Sequence, residues 1–466
     1  MEQRRPYQTY TAATSSSATP MRPGTPEQDS INAAPQRGTG TNPFGTPFAS
    51  GPASRNASSS AVNLHHEAQN QKYFHSRRVK KGEIERPWLE RKDPREKWVT
   101  IIPLIGLALG FAFAGFLVYD GLKTVVKHEY CPILDDDFSS GLDPKVWTKE
   151  AEVGGFGNGQ FEETTIDDTN VFIQDGQLVI KPSLQDPALI EKDGAVIDLQ
   201  KQGICSSNIF ANCHVITNLT NGSIVNPVKS GRINTKAGAT IKYGRVEVTA
   251  TLPAGDWLWP AIWLLPVKDT YGPWPQSGEI DIAESRGNNY TYGQGGNNII
   301  SSALHWGPNP ANDGWWRTNV KRNALHTTFT KKPHTFGMEW SEKYLFTYID
   351  TRLLQVLYSN FNAPFWRRGQ FPLSDSNGTR LEDPWSQTGN DATPFDQAFY
   401  LILNVGVGGT NGWFKDGASG KPWVDQSPTA RKDFWDAQGQ WYPTWQKKDA
   451  GQMTITRVKM WQQGAC

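Results

Sequence analysis

Ser277-Gly278-Glu279-Ile280-Asp281-Ile282-Ala283-Glu284-Ser285 places three carboxylates within six residues. Alternate residues of a strand share a face, so Glu279 and Asp281 project together and Ile280 projects to the opposite side. Regular alternation would next send Glu284 into the core. One extra residue, a β-bulge around Ile282-Ala283, returns Glu284 to the carboxylate face and leaves the aliphatic residues beneath. The segment therefore predicts three acids in a row across a concave sheet. Two carboxylates flanking a sugar bond are what glycoside hydrolysis needs, one as nucleophile and one as acid/base, about 5–5.5 Å apart in a retaining mechanism. An acid between them can hydrogen-bond the nucleophile and raise the partner's pKa by repulsion. Strand rise alone spaces Glu279 and Glu284 by about 13 Å at Cα, so the side chains must lean together or the strand must bend.

A solvated acidic strand face, or a calcium site, is the plainer alternative, and the neighbours weigh against it. Trp257, Trp259, Trp263 and Trp274 precede the acids, and His305-Trp306 follow them. Sugars present apolar C–H faces that stack on aromatic rings, so acids among tryptophans suit a carbohydrate cleft better than a metal cage. Trp263, inside the apolar run Ala261–Leu265, is expected in the core.

Working outward, the chain from about Asp135 onward is a series of short alternating or β-branched runs separated by Gly, Pro, Asn and Asp. They include Asn170–Ile173, Gln177–Lys181, Gly244–Leu252, Ile299–His305, Leu345–Ile349, Phe399–Val405 and Met453–Trp461. No helical period persists, which predicts an all-β sandwich or jelly roll over residues 133–466. The 360–398 and 408–450 stretches, rich in Pro, Gly and Trp, are expected as long loops around one face.

The rest of the chain is of another kind. The whole carries 47 Lys+Arg and 46 Asp+Glu over 466 residues, a net +1 that excludes a wholly basic nucleic-acid binder. Residues 1–97 hold 15 and 9 of these, leaving 32 and 37 to the remainder, so +6 faces −5. Thr11 to Ala61 has almost no aliphatic residue larger than Ala, so residues 1–97 are expected to be a disordered tail ending in a basic segment. Residues 98–119, WVTIIPLIGLALGFAFAGFLVY, carry no charge and no polar stripe. As a helix they span about 33 Å, enough to cross a bilayer and contact its lipid. Ala112-Phe113-Ala114 resembles a signal-peptidase site, but the long preceding tail favours an uncleaved signal anchor. The basic cluster before the span places the tail in the cytoplasm and the β domain in the lumen or outside, as a single-pass type II protein.

The four cysteines, Cys131, Cys205, Cys213 and Cys466, all follow the span. Three connectivities are possible. The expected one joins Cys205 to Cys213 across a short loop and Cys131 to Cys466 at the two ends of the domain. Glycosylation sequons stand at Asn218, Asn221, Asn289 and Asn377, also beyond the span.

Taken with Gly155-Phe156-Gly157-Asn158-Gly159-Gln160, Ser230-Gly231-Arg232-Ile233, Tyr243–Val248, Gly255–Pro266, Pro394-Phe395-Asp396-Gln397, Tyr400–Val405 and Gly408-Gly409, the acidic strand resembles glycoside hydrolase family 16 in its laminarinase-like branch. The resemblance covers about residues 133–463. It implies a concanavalin A-like jelly roll and retaining endo-attack on β-1,3- or β-1,3/1,4-glucan, with Glu279 as nucleophile, Asp281 as assisting acid and Glu284 as acid/base. Trp274, His305, Trp259, Arg232 and Asn158 match cleft positions of the family. No cofactor is implied. The family's structural calcium is placed in doubt, because Thr456-Arg457-Val458-Lys459-Met460 stands where an acidic D-Y-V-R-V pattern is usual. Tail, span and outer domain together resemble fungal wall-synthesis proteins of the Kre-six and Skn-one type, which look like transglycosylases or assembly factors for β-1,6-glucan. Two alternatives to a hydrolase therefore stand: a glucan transglycosylase, and a non-catalytic β-glucan receptor related to glucan-recognition proteins, which lack the acids retained here.

Overall fold

Gly244–Thr251 buries every second side chain, with Val246, Val248 and Ala250 inside. Each fully buried Val contributes roughly 1.5–3 kcal/mol, and such strands can be stable only if a second sheet covers them. The computed structural model, which describes residues 76–466 apart from 88–89, 91–92, 125–126 and 448–449, provides that second sheet. The disordered tail expected over residues 1–97 lies largely outside the described residues.

Two eight-stranded sheets share one apolar core. The first runs, edge to edge, Gln355–Asn360, Tyr344–Ile349, His334–Trp340, Gly244–Thr251, Met453–Gln463, Gln177–Ile180 and Val171–Gln174, with Tyr130–Asp136 added against Met453–Gln463. The second runs Asn319–Asn323, Ile299–His305, Glu279–Glu284, Leu258–Pro266, Phe399–Val407, Arg232–Asn234 and Thr148–Lys149, with Thr240–Ile241 added against Phe399–Val407. Leu258–Pro266, Glu279–Glu284, Ile299–His305 and Asn319–Asn323 follow one another within the second sheet, and His334–Trp340, Tyr344–Ile349 and Gln355–Asn360 within the first, with the chain crossing between the sheets before and after these runs, which gives the all-β jelly-roll sandwich. The seven strands expected from alternation appear within two residues of their expected ends. The 408–450 stretch is not only loop: it holds the helices Ala430–Asp436 and Gln438–Trp445, whose Phe434 and Trp441 stack in the core. A smaller core, including Ile190, Ile197, Leu199 and Trp435, sits under residues 186–226.

Cys131 is bonded to Cys466 and Cys205 to Cys213. At the matching C-terminal strand, Arg457 grips Asp135 with both prongs of its guanidinium, at 2.7 and 2.8 Å. Two cations, Arg457 and Lys459, thus face the Asp135 carboxylate. The helix Glu96–Thr124 extends past the apolar run 98–119 at both ends. Charged Asp120 and Lys123 end the apolar run without breaking the helical hydrogen bonding. It is the one helix among the described residues that is long and apolar enough to cross a membrane, and its apolar window is not buried.

Candidate active site

The strand Glu279–Glu284 lies between Leu258–Pro266 and Ile299–His305. Its register contains one surplus residue. Asp281 pairs with Ala303 and Glu284 with Ser301, three residues against two. On the other side Trp263 pairs with Asp281 and the adjacent Ile262 with Ala283. The bulge falls at Ile282, so Glu279, Asp281 and Glu284 share one face while Ile280 and Ala283 enter the core. A bulge strands a carbonyl that the ladder cannot satisfy. Ser302 Oγ donates to the Ile282 carbonyl at 2.6 Å, and Thr347 Oγ1, from the opposite sheet, donates to Ser302 Oγ at 2.8 Å. Two buried hydroxyls therefore hold the bulge from beneath. Neither carries a signal in the sequence beyond a polar residue at a core position.

Each carboxylate has its own donor. Trp274 Nε1 donates to Glu279 at 2.8 Å, and Trp259 Nε1 donates to Glu284 at 2.9 Å. His305, opposite Glu279 in register, sets Nε2 3.2 Å from Asp281 and 4.0 Å from Glu279. Its Nδ1 meets Asp313 at 2.5 Å. Asp313, which sequence reading missed, is fixed in turn by the backbone N–H groups of Trp306 and Trp315. Burial opposes a charge on His305, but Glu279, Asp281 and Asp313 outweigh it and push the imidazole well above its ordinary range. Burial, then repulsion from Asp281, raises Glu284 to about 8. The same two causes push Glu279 well up, opposed by His305 and by the Trp274 indole.

Glu279, Asp281 and His305 bring their donor atoms within 4.8 Å of one another, a spacing compatible with a metal ion. Both ring nitrogens of His305 face carboxylates. A doubly protonated imidazole has no lone pair to offer a metal. The set reads as an ion-pair network.

The aromatic residues divide into two banks. At the Glu279 end, Trp274 and Trp315 lie against His305, and both are about two-fifths exposed (41% and 43%). At the Glu284 end, Trp259 stacks on Trp413 at 4.6 Å. Asn158 belongs to this second bank: its amide oxygen accepts from Asn411 Nδ2 at 3.0 Å, on the loop that carries Trp413. Trp413 sits in an irregular loop and Trp315 in a single 3-10 turn, Trp315–Arg317, where no periodicity marks them.

Two expectations change. Trp263 is not in the core. Ile262 and Leu264 face inward, so alternation turns Trp263 to the carboxylate side, where Nε1 donates to Asn404 at 2.7 Å. Arg232 is brought to the same face but is only 7% exposed, paired with Glu150 at 2.9 Å and flanked by the rings of Phe156 and Trp263. A guanidinium so enclosed braces this face of the sheet and has little freedom to move. Trp257 and Trp306 are core residues. The sequon asparagines Asn218, Asn221, Asn289 and Asn377 are all exposed.

The profile of the family "Glycosyl hydrolases family 16" matches residues 192–378. A β-1,3-glucan-binding protein of Penaeus monodon is 37% identical over 71% of this chain and 90% of its own length. A glucan endo-1,3-beta-glucosidase A1 of Niallia circulans is 30% identical over 57% of this chain and 30% of its own. Among solved structures, the laminarinase catalytic domain of Thermotoga petrophila RKU-1 is 20% identical with a TM-score of 0.44, covering 73% of this chain and all of that one.

Proposed function

The chain belongs to glycosyl hydrolase family 16, and from that premise we propose that it is a retaining, endo-acting β-glucan hydrolase with β-1,3 or β-1,3/1,4 specificity. The observation that carries this reading is the bulged strand with its three separately addressed carboxylates. Glu279, held by Trp274 and facing the His305 cation, attacks the anomeric carbon. Glu284, which carries its proton at neutral pH, gives that proton to the departing glycosidic oxygen. It then takes one from the water that cleaves the glycosyl-enzyme. Asp281 steadies His305 between the two.

Incubating the purified protein with laminarin, mixed-linkage glucan and β-1,6-glucan, with products followed by NMR, tests this. The first-formed reducing end should be the β-anomer. An α-anomer would exclude retention, and transfer to a sugar acceptor in preference to water would identify a transglycosylase. The rate profile should be bell-shaped. Its acid limb reports Glu279 ionising and lies above the usual carboxylate range. Its alkaline limb reports Glu284 losing its proton near pH 8. A rate still rising at pH 9 would be inconsistent with Glu284 as the acid.

A second reading, a glucan-binding protein without turnover, is favoured by the name of the Penaeus relative. It predicts laminarin binding and no product from any substrate.

We propose further that the helix Glu96–Thr124 anchors the protein as a single-pass type II membrane protein acting on wall or extracellular glucan. Its length and apolarity, the basic flank before it, and the exposed sequons and disulfides after it support this orientation. Endoglycosidase digestion of the membrane-bound protein should lower its apparent mass, and protease added to sealed vesicles should remove only the N-terminal tail. Protection of the tail would reverse the orientation.

A further inference from the structure

Arg286 follows Glu284 by two residues and leaves the sheet at the edge of the site. It is only 6% exposed. Among the described residues its hydrogen-bond partners are backbone carbonyls, with no carboxylate: Trp413 O at 3.0 and 2.7 Å, and Gln294 and Gly295 O at 3.5 and 3.4 Å. A buried cation without an anionic partner is costly, and such groups persist where they serve something nearby. The guanidinium lies over the Trp413 indole, 4.0 Å from its centroid. Trp413 lies flat on Trp259, with 10° between the planes, and Trp259 Nε1 holds Glu284. Trp413 Nε1 is itself buried and without a partner, so this residue acts through its ring faces.

The loop carrying Trp413 is pinned independently. Lys421, with its side chain fully buried, donates to Phe414 O at 2.9 Å, to Asp416 at 2.5 Å and to Asp425, while Asp425 accepts from Gly412 N–H at 2.8 Å. Arg286 is held by four contacts to carbonyls and Trp413 by its loop, so the first two layers of the stack present a fixed face to the Trp259 ring.

We propose that Arg286 is a positioning residue for the acid/base carboxylate, acting through the layered indoles of Trp413 and Trp259 to aim the Trp259 N–H at Glu284 and to set a fixed positive charge behind it. This rests on Glu284 being the acid/base. The other charged groups that face Glu284 are Asp281 and Glu279 on its own strand, His305 on the neighbouring strand, and Lys321, which pairs with Ser301 beside it. Arg286, like Asp281, is sealed from solvent, so salt screens its charge little. Burial draws its own ionisation down to about 10, which leaves it charged throughout the range where Glu284 titrates.

The test replaces tryptophan by 5-fluorotryptophan and follows the Trp259 fluorine resonance, assigned by Trp259→Phe, across pH. This reads Glu284 ionisation whether or not the protein turns over glucan, so it separates failure of this inference from failure of the hydrolase reading. In Arg286→Met the midpoint should rise by about one pH unit, since a buried positive charge behind the carboxylate is lost from a partly desolvated site. In Arg286→Lys the midpoint should move by less than half of that, while the resonance broadens as the stack is lost. Trp413→Leu keeps the arginine and its charge; it should broaden the Trp259 signal and, in an active protein, lower kcat about tenfold with KM little changed. Midpoint and line width unchanged in both Arg286→Met and Trp413→Leu would overturn the proposal. If Arg286→Met does not fold, Trp413→Leu alone decides it.

Discussion

Glu279→Gln should abolish glucan turnover, by about 10⁴-fold or more in kcat, while laminarin binding stays within about threefold of wild type. The amide keeps the size of the carboxylate and can still accept the Trp274 indole hydrogen bond. It cannot form the glycosyl-enzyme bond. It also removes a charge that burial and Asp281 make costly, so the variant should be at least as stable as wild type. Calorimetric binding and reducing-sugar release, measured on the same preparations, give both quantities. Equal turnover in variant and wild type would remove Glu279 from the chemistry. Absence of turnover in both, with binding intact, would favour the glucan-binding reading.

Replacing Cys131 and Cys466 together by serine should cost about 5 kcal/mol of stability and lower Tm by about 10 °C. The bond closes a loop with a sequence separation of 335, against 8 for Cys205–Cys213, and loop-closure entropy grows with that length. The folded ends are already paired, Tyr130–Asp136 against Met453–Gln463. The bond therefore acts mostly by restricting the unfolded chain. Activity at 25 °C should be unchanged, because the carboxylates sit in the other sheet. The Cys205→Ser/Cys213→Ser pair should cost about half as much. A larger loss from that pair would mean that native packing of the 186–226 segment, and not chain entropy, governs the difference.

Both predictions begin from residues visible in the sequence, and most of the site does too. Alternation and a single extra residue were enough to locate the bulge at Ile282-Ala283, because a strand has only two faces and three acids cannot all enter a core. The same alternation, applied to Leu258–Pro266, would have turned Trp263 outward; a run of apolar letters hid it, since both faces of that strand are covered. Arg232 is legible in the sequence, but its surroundings are not. A guanidinium is a free donor or a brace according to what surrounds it, and Glu150, Phe156 and Trp263 come from three separate segments.

The sequence by itself determined the sandwich, the order of the acids, the apolar helix and the aromatic character of the site. All of these follow from local periodicity and residue chemistry, which short stretches carry in full. Only the tertiary structure decided which donor meets which carboxylate: Trp274 with Glu279, Trp259 with Glu284, and Asp313 through His305 with Asp281. It also decided that Trp413, 129 residues beyond Glu284 in the chain, stands between Arg286 and Trp259. Proton affinities at a buried site are set by a few ångströms of separation and by exclusion of water. Those distances exist only once segments remote in sequence have been packed together.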